Sequence, residues 1–180
     1  MDNSEKNVCI VGASGLLGSN VLKEALARGY KVNGTVRDVN APDKATFLNA
    51  LPNADQNLRL FESEMADAES FDNALSNVDC VFIACLIPVY KGPTGKPARE
   101  MDDEQGYEEI IMPTVNGCLN ILKSTARQGV KNVVICSSTS STNPVPPVPI
   151  KNEVDHWSDE NEQCRAKKYT SATKTVMEKA

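Results

Sequence analysis

Three glycines close to the start of the chain have the spacing of a phosphate-binding turn. An apolar run at 8–11 leads directly into the segment GASGLLG at 12–18, and apolar residues then recur at helical spacing. Glycine supplies the positive φ and the close backbone approach that a tight strand-to-helix turn requires. The N–H groups at the start of the following helix, with the helix dipole behind them, would face a pyrophosphate. The pattern predicts dinucleotide binding at Gly12, Gly15 and Gly18, although a purely structural turn has the same composition.

The charged residues after the second apolar run bear on which dinucleotide would bind. That run, at 31–36, is followed by Arg37 and then Asp38. A NAD site usually presents an acidic side chain here to bond the ribose hydroxyls, whereas a guanidinium pairs with the 2′-phosphate of NADP. Because Arg37 comes first, we predict NADP rather than NAD. An inward-pointing Asp38 would reverse this choice, and Arg37 as a plain surface residue would remove its basis.

The rest of the sequence alternates short apolar runs, typical of buried strands, with helical patterns. Strands are predicted at 7–12, 31–36, 58–62, 79–84 and 131–137. Helices are predicted from Leu16 to a cap at Gly29, at 42–51, at 67–76, at 103–128 with a bend at Pro113, and at 167–180. Strands that alternate with helices need right-handed crossovers, which produce a parallel sheet with helices on both faces. We therefore expect a doubly wound α/β fold, with a single domain over 1–180.

Composition and charge narrow the range of partners. The net charge is −5, with 24 acidic and 19 basic residues interspersed, so no basic face is indicated and nucleic acid is not an expected partner. The amino terminus lacks the features of a secretory signal, and no apolar run approaches the ~20 residues of a membrane helix. These features predict a soluble cytoplasmic protein that binds no membrane. Six cysteines without a Cys-x-x-Cys pair, and a single histidine, predict reduced thiols and no metal site.

Two proline-bearing stretches follow the carboxyl ends of predicted strands, at 88–97 and at 144–149. In open α/β sheets ligands bind outside that edge, so both stretches are expected to be substrate-side loops. The alternatives are ordinary solvent loops or, for the second stretch, a docking peptide of the polyproline type.

Blocks distributed over nearly the whole chain have a specific order and spacing. They are GASGLLG at 12–18, TVRD at 35–38, SFD at 70–72, VDCVF at 78–82, PTVNGCLNIL at 113–122, SS at 137–138, WSD at 157–159 and KTVMEKA at 174–180. In these blocks the chain resembles the extended short-chain dehydrogenase/reductase superfamily, within it the branch of dihydroflavonol reductases, cinnamoyl-CoA reductases and related aldehyde reductases.

The resemblance implies a Rossmann-type domain that binds NADP and transfers a hydride to a small carbonyl substrate, a ketone or an aldehyde, in a homodimer. The residues that it implies at the cofactor are Gly12, Ser14, Gly15, Leu16, Leu17, Gly18, Arg37, Lys44, Glu64, Ala84 and Lys174. Family members run considerably further, and the pattern at 167–180 has no helix stop. We therefore expect a truncated chain without the substrate-binding lobe, in which the fifth strand is an uncovered sheet edge.

In the resembling family a serine, a tyrosine and a lysine act together on the carbonyl. Reduction places negative charge on the carbonyl oxygen, which the tyrosine protonates while the serine hydroxyl holds that oxygen. A phenol with a pKa near ~10 is too weak an acid unless a neighbouring ammonium lowers that value. The resemblance therefore implies catalytic roles for Ser138, Tyr169 and Lys174.

The tyrosine is where this sequence departs from the family spacing Tyr-x-x-x-Lys. Four residues turn a helix by about 400°, which leaves the two side chains about 40° apart on one face. Tyr169, however, lies five residues before Lys174, about 140° away on a regular helix, and Thr170 occupies the fourth position. Either the helix begins with an irregular turn that brings Tyr169 round, or Thr170 fills the place of the acid and proton transfer is crippled.

Two other functions remain open at this point. A nucleotide-sugar epimerase or dehydratase uses the same scaffold, although the WSD block at 157–159 and Arg37 argue against it. A catalytically impaired module, in which bound NADP regulates a partner protein, would account for the threonine at position 170.

Overall fold

A computed structural model describes residues 3–86 and 90–180, and the chain divides into two compact units. Unit 1 comprises the residues up to Cys85 together with Leu119–Cys136, and unit 2 comprises Leu86–Cys118 and Ser137–Ala180. The beginning of the predicted substrate-side loop at 88–97 lies outside the described residues.

Unit 1 is built on a sheet of five parallel strands in the order β3-β2-β1-β4-β5. The strands are β1 Asn7–Val11, β2 Lys31–Val36, β3 Leu58–Glu62, β4 Cys80–Ile83 and β5 Asn132–Ile135. All five predicted strands are confirmed, and three of them are one to three residues shorter than predicted. The direction of winding reverses between β1 and β4, which are paired neighbours, so the carboxyl ends of these two strands form the topological switch point of the sheet.

The helices are shorter and more interrupted than the sequence pattern predicts. They are α1 Leu16–Ala27, α2 Thr46–Asn49, α3 Ala54–Asn57, α4 Asp72–Leu75, α5 Asp103–Gly106, α6 Met112–Arg127, α7 Glu160–Arg165 and α8 Tyr169–Lys179. A 3₁₀ turn at Glu69–Phe71 precedes α4. The predicted cap of the first helix is confirmed, since Gly29 follows α1 with a φ of +81°.

Two predicted helices are wrong in extent. Of the helix predicted at 42–51 only α2 is helical; residues 42–45 before it form a turn, in which the N–H groups of Lys44 and Ala45 both donate to the Ala41 carbonyl. Of the helix predicted at 67–76, the 3₁₀ turn and α4 are present. That segment stops at Asn77, which has a φ of +56°.

Helices cover the sheet on both faces, as predicted. Side chains alternate along a strand, so Val32 and Val36 of β2 point to one face, where they join Leu22 and Leu26 of α1 in a buried apolar cluster. Asn33 points to the other face, where its amide donates to the carbonyl of Ala74 in α4 at 2.8 Å. This arrangement is the doubly wound Rossmann-type architecture.

The long helical segment before β5 contains the predicted irregularity near Pro113. A π-helical turn at Tyr107–Ile111 separates α5 from α6. Proline has no N–H, so Pro113 cannot donate to the carbonyl of Glu109, and the backbone widens just before it. The predicted bend is therefore a local change of helical pitch.

In unit 2, side-chain caps fix the starts of the short helical segments. Asp102 accepts from the Gln105 N–H at the start of α5, and Asp159 accepts from two N–H groups at the start of α7. Ser138 caps the 3₁₀ helix Thr139–Thr142 in the same way. These caps hold the loops around α8 in defined positions.

Three predictions about composition can be compared with the described residues. All six cysteines are thiols outside any disulfide bond, and Cys9, Cys118 and Cys164 are buried. Over 3–86 and 90–180, no cluster of three or more His, Cys, Asp or Glu side chains is placed to hold a metal ion. Within the same ranges, every helix is too short or too polar to span a membrane.

Candidate functional site

The turn after β1 has the backbone conformation that its glycines predict. Gly12 adopts a φ of +82°, and a Cβ at this position would lie 2.5 Å from the Cβ of Cys85, which follows β4. Two hydrogen bonds to Thr35 of β2 fix the turn: the Gly12 N–H donates to the hydroxyl at 3.1 Å, and the Ala13 N–H to the carbonyl at 2.9 Å. Gly12 therefore accepts no side chain, for both conformational and steric reasons.

Gly18 brings the first turn of α1 into contact with the glycine turn. A Cβ on Gly18 would lie 2.1 Å from the carbonyl oxygen of Gly12, far inside any real contact distance. Gly15 is the N-cap of α1, so the N–H groups of the first helical residues have no acceptor within the helix. The result is a set of backbone donors at a helix N-terminus, closed to side chains and positioned at the switch point of the sheet. These residues fit a pyrophosphate.

The remaining residues expected at this part of the cofactor site lie around the turn. Ser14 is half-buried, and the Leu16 and Leu17 side chains are exposed, with Leu16 84% accessible. Ala84 is buried, and its N–H donates to the Val11 carbonyl at 3.0 Å, which extends the pairing of β4 with β1. A small residue at position 84 therefore lies directly beside the end of β1.

The end of β2 presents a cation that has no partner within residues 3–86 and 90–180. In the described part of the chain, the Arg37 guanidinium makes no hydrogen bond or ion pair, whereas Asp38 accepts from the Asn40 N–H at 2.8 Å and is thereby held in its own turn. Lys44, also expected at the cofactor, is largely exposed and lies 4.0 Å from Asp43. Of the charged groups at this strand end, Arg37 is thus one that makes no polar contact with the described residues.

Glu64, the expected contact after β3, lies in a loop that Ser70 organises. The Ser70 hydroxyl accepts from the Glu64 N–H at 3.0 Å and lies 2.7 Å from the carbonyl of Asp67. The neighbouring Phe71 is buried, and Asp72 pairs with Arg127 of α6 at 2.7 Å. The SFD block at 70–72 is therefore a structural element that fixes the backbone around Glu64.

The expected catalytic residues all belong to unit 2, and Ser138 lies at an exposed helix start. Its hydroxyl accepts from the N–H of Ser140 at 3.2 Å and lies 3.0 Å from the Ser140 hydroxyl. Ser141, one residue further on, is buried and donates to the Glu178 carboxylate of α8 at 2.6 Å. The Ser138 hydroxyl is therefore accessible to solvent, whereas the Ser141 hydroxyl is buried.

Lys174 lies in the middle of α8 with its side chain buried. It is 6% exposed, and its Nζ donates to the carbonyl of Leu86, which follows β4 in the sequence. Its charge is close enough to lower the pKa of the Cys118 thiol, although burial of that thiol is the larger effect and raises the pKa overall. The Lys174 side chain is therefore held by its hydrogen bond to the Leu86 carbonyl and by packing, and it does not extend into solvent.

Tyr169 is placed differently from a catalytic tyrosine. It is the first residue of α8 and 1% exposed, and a Cβ on Gly106 would lie 2.3 Å from atoms of its ring. Its hydroxyl donates to the carbonyl of Asp102 at 2.9 Å and accepts from the Nζ of Lys167 at 3.1 Å. The phenol is thus held against α5. This placement argues against the catalytic role expected for Tyr169.

The helix contains no irregular turn that would bring Tyr169 beside Lys174. The Thr173 hydroxyl donates to the Tyr169 carbonyl at 2.8 Å, four residues back, and α8 is continuous from Tyr169 to Lys179. Five residues of a regular helix separate the two side chains by about 140°. Thr170 thus occupies the position four residues before Lys174.

The polar cluster around the Tyr169 hydroxyl was missed by sequence reasoning. Lys167 and Asp103 form an ion pair at 2.9 Å beside the phenol. A hydrogen bond from Lys167 holds the pKa of Asp103 below its ordinary value, and the same bond raises the pKa of Lys167. Burial raises the pKa of Tyr169. The signal available in the sequence was the glycine at position 106, which does not specify a partner on its own.

The fold and the glycine turn define a Rossmann-type protein of the dinucleotide-binding class. A family model described as NAD(P)H-binding matches residues 12–178, so the chain belongs to this NAD(P)H-binding family, within the extended short-chain dehydrogenase/reductase superfamily.

Curated relatives carry the names of reductases. The chain is 34% identical to tetraketide alpha-pyrone reductase 1 of Arabidopsis thaliana, and the match covers 100% of this chain and 53% of the relative. It is 32% identical to the bifunctional dihydroflavonol 4-reductase/flavanone 4-reductase of Malus domestica, covering 100% of this chain and 50% of that protein. The chain thus spans about half the length of these relatives.

Solved structures agree on the fold. Vestitone reductase from alfalfa is 27% identical with a TM-score of 0.68, and the alignment covers 96% of this chain and 50% of that structure. Gre2 of Candida albicans in complex with NADPH is 24% identical with a TM-score of 0.71, covering 97% of this chain and 51% of that structure. At 24% identity, the similarity to Gre2 shows the fold alone.

Proposed function

We propose that this protein binds NADPH and reduces the carbonyl group of a small or aromatic ketone or aldehyde. The observation that carries the proposal is the glycine turn, because Gly12 and Gly18 leave no space for side chains and expose backbone donors at the switch point of the sheet. The names of the relatives, a tetraketide alpha-pyrone reductase and a dihydroflavonol 4-reductase/flavanone 4-reductase, support the reaction class.

The preference for NADPH over NADH rests on the end of β2. Arg37 has no partner among the described residues, while the Asp38 carboxylate is bound to the Asn40 N–H. A guanidinium free to form a bidentate contact favours a 2′-phosphate, and an acidic group committed to its own turn does not compete for the ribose hydroxyls.

When bound, NADPH supplies a hydride for the carbonyl carbon. The chain's own residues must then hold the substrate and supply a proton to its oxygen. The exposed Ser138 hydroxyl can donate a hydrogen bond to the carbonyl oxygen and so keep it in position. Lys174, fixed by the Leu86 carbonyl, places a positive charge that stabilises negative charge developing on an oxygen nearby.

The direct test is oxidation of NADPH, followed at 340 nm, with a panel of ketones and aldehydes that includes aromatic compounds and aliphatic controls. We expect turnover with at least one carbonyl compound, a slower rate with NADH, and formation of the corresponding alcohol. Folded protein that binds NADPH and oxidises it with no member of the panel would contradict the proposal.

A second function is favoured by the placement of Tyr169. Because the phenol is buried against α5 and Thr170 takes the family's tyrosine position, the protein would bind NADPH without effective reduction and act as a dinucleotide-dependent module. Saturable NADPH binding together with an absence of turnover in the same panel distinguishes this function from the first.

A further inference from the structure

A proline-rich stretch of unit 2 is exposed over almost its whole length. It lies between the 3₁₀ helix Thr139–Thr142 and α7, and it contains no helix or strand. Residues 145–147 and 149–155 are exposed, and the Ile150 side chain is 83% accessible. Exposed apolar side chains that follow one another, unlike scattered ones, are typical of interaction sites.

The backbone of this stretch is available for hydrogen bonds with a partner. At its ends, the Asn143 N–H donates to the Ser158 hydroxyl at 2.8 Å and the Asn152 N–H donates to Nδ1 of His156 at 3.0 Å. Between these anchors, over 144–151, no backbone N–H or carbonyl forms a hydrogen bond with a described residue. Four of these eight residues are prolines, which lack an N–H and favour the extended polyproline II conformation.

The sequence PPVPIK at 146–151, which follows the cis peptide bond between Val145 and Pro146, has a spacing suited to that conformation. Polyproline II has three residues per turn and rises by about 3.1 Å per residue. Its three edges would carry the pairs Pro146 and Pro149, Val148 and Lys151, and Pro147 and Ile150. Two adjacent edges thus present two prolines, a valine and a cation to the same partner surface, over a length of about 15 Å.

Lys151 supplies the positive charge of this segment. Its ammonium donates to the amide oxygen of Asn143, an exposed and neutral acceptor, and forms no ion pair with a described residue. A hydrogen bond between two charged groups is stronger than one to a neutral acceptor. A partner that offers a carboxylate to Lys151 would therefore replace the Asn143 contact at little cost.

We infer that the 146–151 segment is a docking motif for a protein domain of the SH3 type, whose groove is lined by aromatic side chains and flanked by a carboxylate. Such grooves bind P-x-x-P segments because proline rings pack against aromatic rings and a polyproline II backbone loses little entropy on binding. No hydrogen bond of its own backbone opposes straightening of the segment. The motif shares no residue with the glycine turn or the expected catalytic residues, and it does not depend on the proposed function.

The first test is an NMR titration of isotope-labelled SH3 domains with the full chain. We expect saturable shifts of the amide signals around the groove of at least one domain in a panel, and displacement of the chain by a synthetic P-x-x-P peptide. Pro149→Ala should weaken binding by about 5- to 30-fold, the loss typical of an anchor residue. Pro147→Ala makes the same change on the edge that faces away from the groove, so it is the matched control and should stay within about twofold.

The second test concerns the charge of Lys151. Lys151→Met should weaken binding at about 50 mM salt and have little effect at about 500 mM, because salt screens an exposed ion pair. Lys168→Met, at another exposed lysine of unit 2, is the control. Melting temperatures of the variants at 146–151 should stay within about 2 °C of the wild type, because the segment is exposed and its backbone is not hydrogen-bonded.

Two outcomes would overturn the inference. Binding that persists unchanged in folded Pro149→Ala and Lys151→Met would show that the contact lies elsewhere on the chain. An absence of saturable binding to every domain of the panel would leave the stretch as a solvent loop or a substrate-side loop. Neither test uses NADPH or turnover, so the inference and the proposed function succeed or fail separately.

Discussion

At the scale of single residues, the glycine turn is defined by the atoms that it cannot accommodate. The chain at Gly18 passes so close to the Gly12 carbonyl that a methyl group at position 18 would require backbone movement. At Gly15, by contrast, the nearest atom would lie at 3.4 Å, an ordinary contact. Glycines of the same segment therefore have different reasons for being there, and substitution separates them.

Gly18→Ala should destabilise the protein and weaken NADPH binding. Overpacking a closed site costs about 1–3 kcal/mol, and a shifted turn no longer presents its N–H groups to the pyrophosphate. Thermal unfolding and an NADPH titration measure the two effects, with Gly15→Ala as the matched control for stability. Equal melting temperatures for Gly18→Ala and the wild type would show that the turn is not packed as described.

Arg37→Ala should weaken binding of NADPH and leave binding of NADH unchanged. A hydrogen bond to a charged group is worth about 1.5–3 kcal/mol, which corresponds to roughly 10- to 150-fold in Kd. Parallel titrations with the two cofactors measure the difference, and Arg99→Ala, an exposed arginine of unit 2, is the control. A proportional loss for both cofactors would mean that Arg37 does not read the 2′-phosphate.

At the scale of elements, the tie between α4 and α6 predicts how stability responds to acid. Asp72 accepts from Arg127 and from Ser124 of α6, and these bonds lower the pKa of its carboxyl, the Arg127 bond most strongly. A carboxyl with a lowered folded-state pKa stabilises the fold fully above its ordinary pKa, and this contribution is lost as the pH falls through the lowered value.

The corresponding variant is Asp72→Asn. It should be less stable than the wild type at pH 6 and should lose less stability between pH 6 and pH 3, because the titrating group has been removed. Urea unfolding midpoints at the two pH values measure this, with Asp55→Asn, an exposed aspartate of α3, as the control. Parallel acid slopes for wild type and Asp72→Asn would contradict the proposed role of the pair.

Helix α8 allows a gain-of-function test at the element scale. Thr170→Tyr would restore a tyrosine four residues before Lys174, with the two side chains about 40° apart on one face. If the family's acid is missing at this position, kcat should rise at least several-fold in a carbonyl that already turns over, at the upper end approaching the ~10²-fold typical of a positioned acid. Thr170→Phe, of equal bulk without the hydroxyl, is the control, and an equal rise in both variants would refute the explanation.

The elements also show what the sequence could and could not reveal. The strands were predictable because strands of a parallel sheet are buried on both faces and appear as continuous apolar runs, as at 7–12 and 31–36. Short helices such as α2 were not predictable, because a segment of a few residues can form either helical or turn hydrogen bonds at little cost in free energy. Pro113 made it possible to predict where the helix before β5 is irregular, but not that the irregularity is a π-helical turn.

The functional residues also differ in whether local sequence could predict them. Gly12 and Gly18 were predictable because a turn of this kind requires glycine locally. The partners of Tyr169 could not be predicted, because its pocket is formed by Gly106 and Asp102, which are distant in the sequence and lack any local periodicity that identifies them. Its spacing from Lys174 showed a departure from the Tyr-x-x-x-Lys pattern, but only the structure shows where the Tyr169 hydroxyl lies.

At the scale of the whole molecule, unit 1 ends its sheet with an apolar strand. No described strand pairs with the outer edge of β5, and Val133, Val134 and Ile135 are 38%, 48% and 37% exposed. Among the described residues, β5 is therefore an edge strand of the sheet. Apolar edge strands invite pairing with other chains.

Val134→Lys should therefore reduce association of the protein at high concentration without changing NADPH binding, since a charged side chain on an edge strand opposes pairing. Light scattering as a function of concentration measures association, and Val145→Lys, an exposed loop position of unit 2, is the control. Equal association of Val134→Lys and the wild type would show that β5 is not the surface involved.

The central claim is that the turn at 12–18 binds a dinucleotide pyrophosphate, and calorimetric titration of the folded protein with NADPH and with NADH tests it most directly. We expect saturable binding of one NADPH per chain and weaker binding of NADH. A folded protein that gives neither heat nor saturation with either cofactor would contradict it.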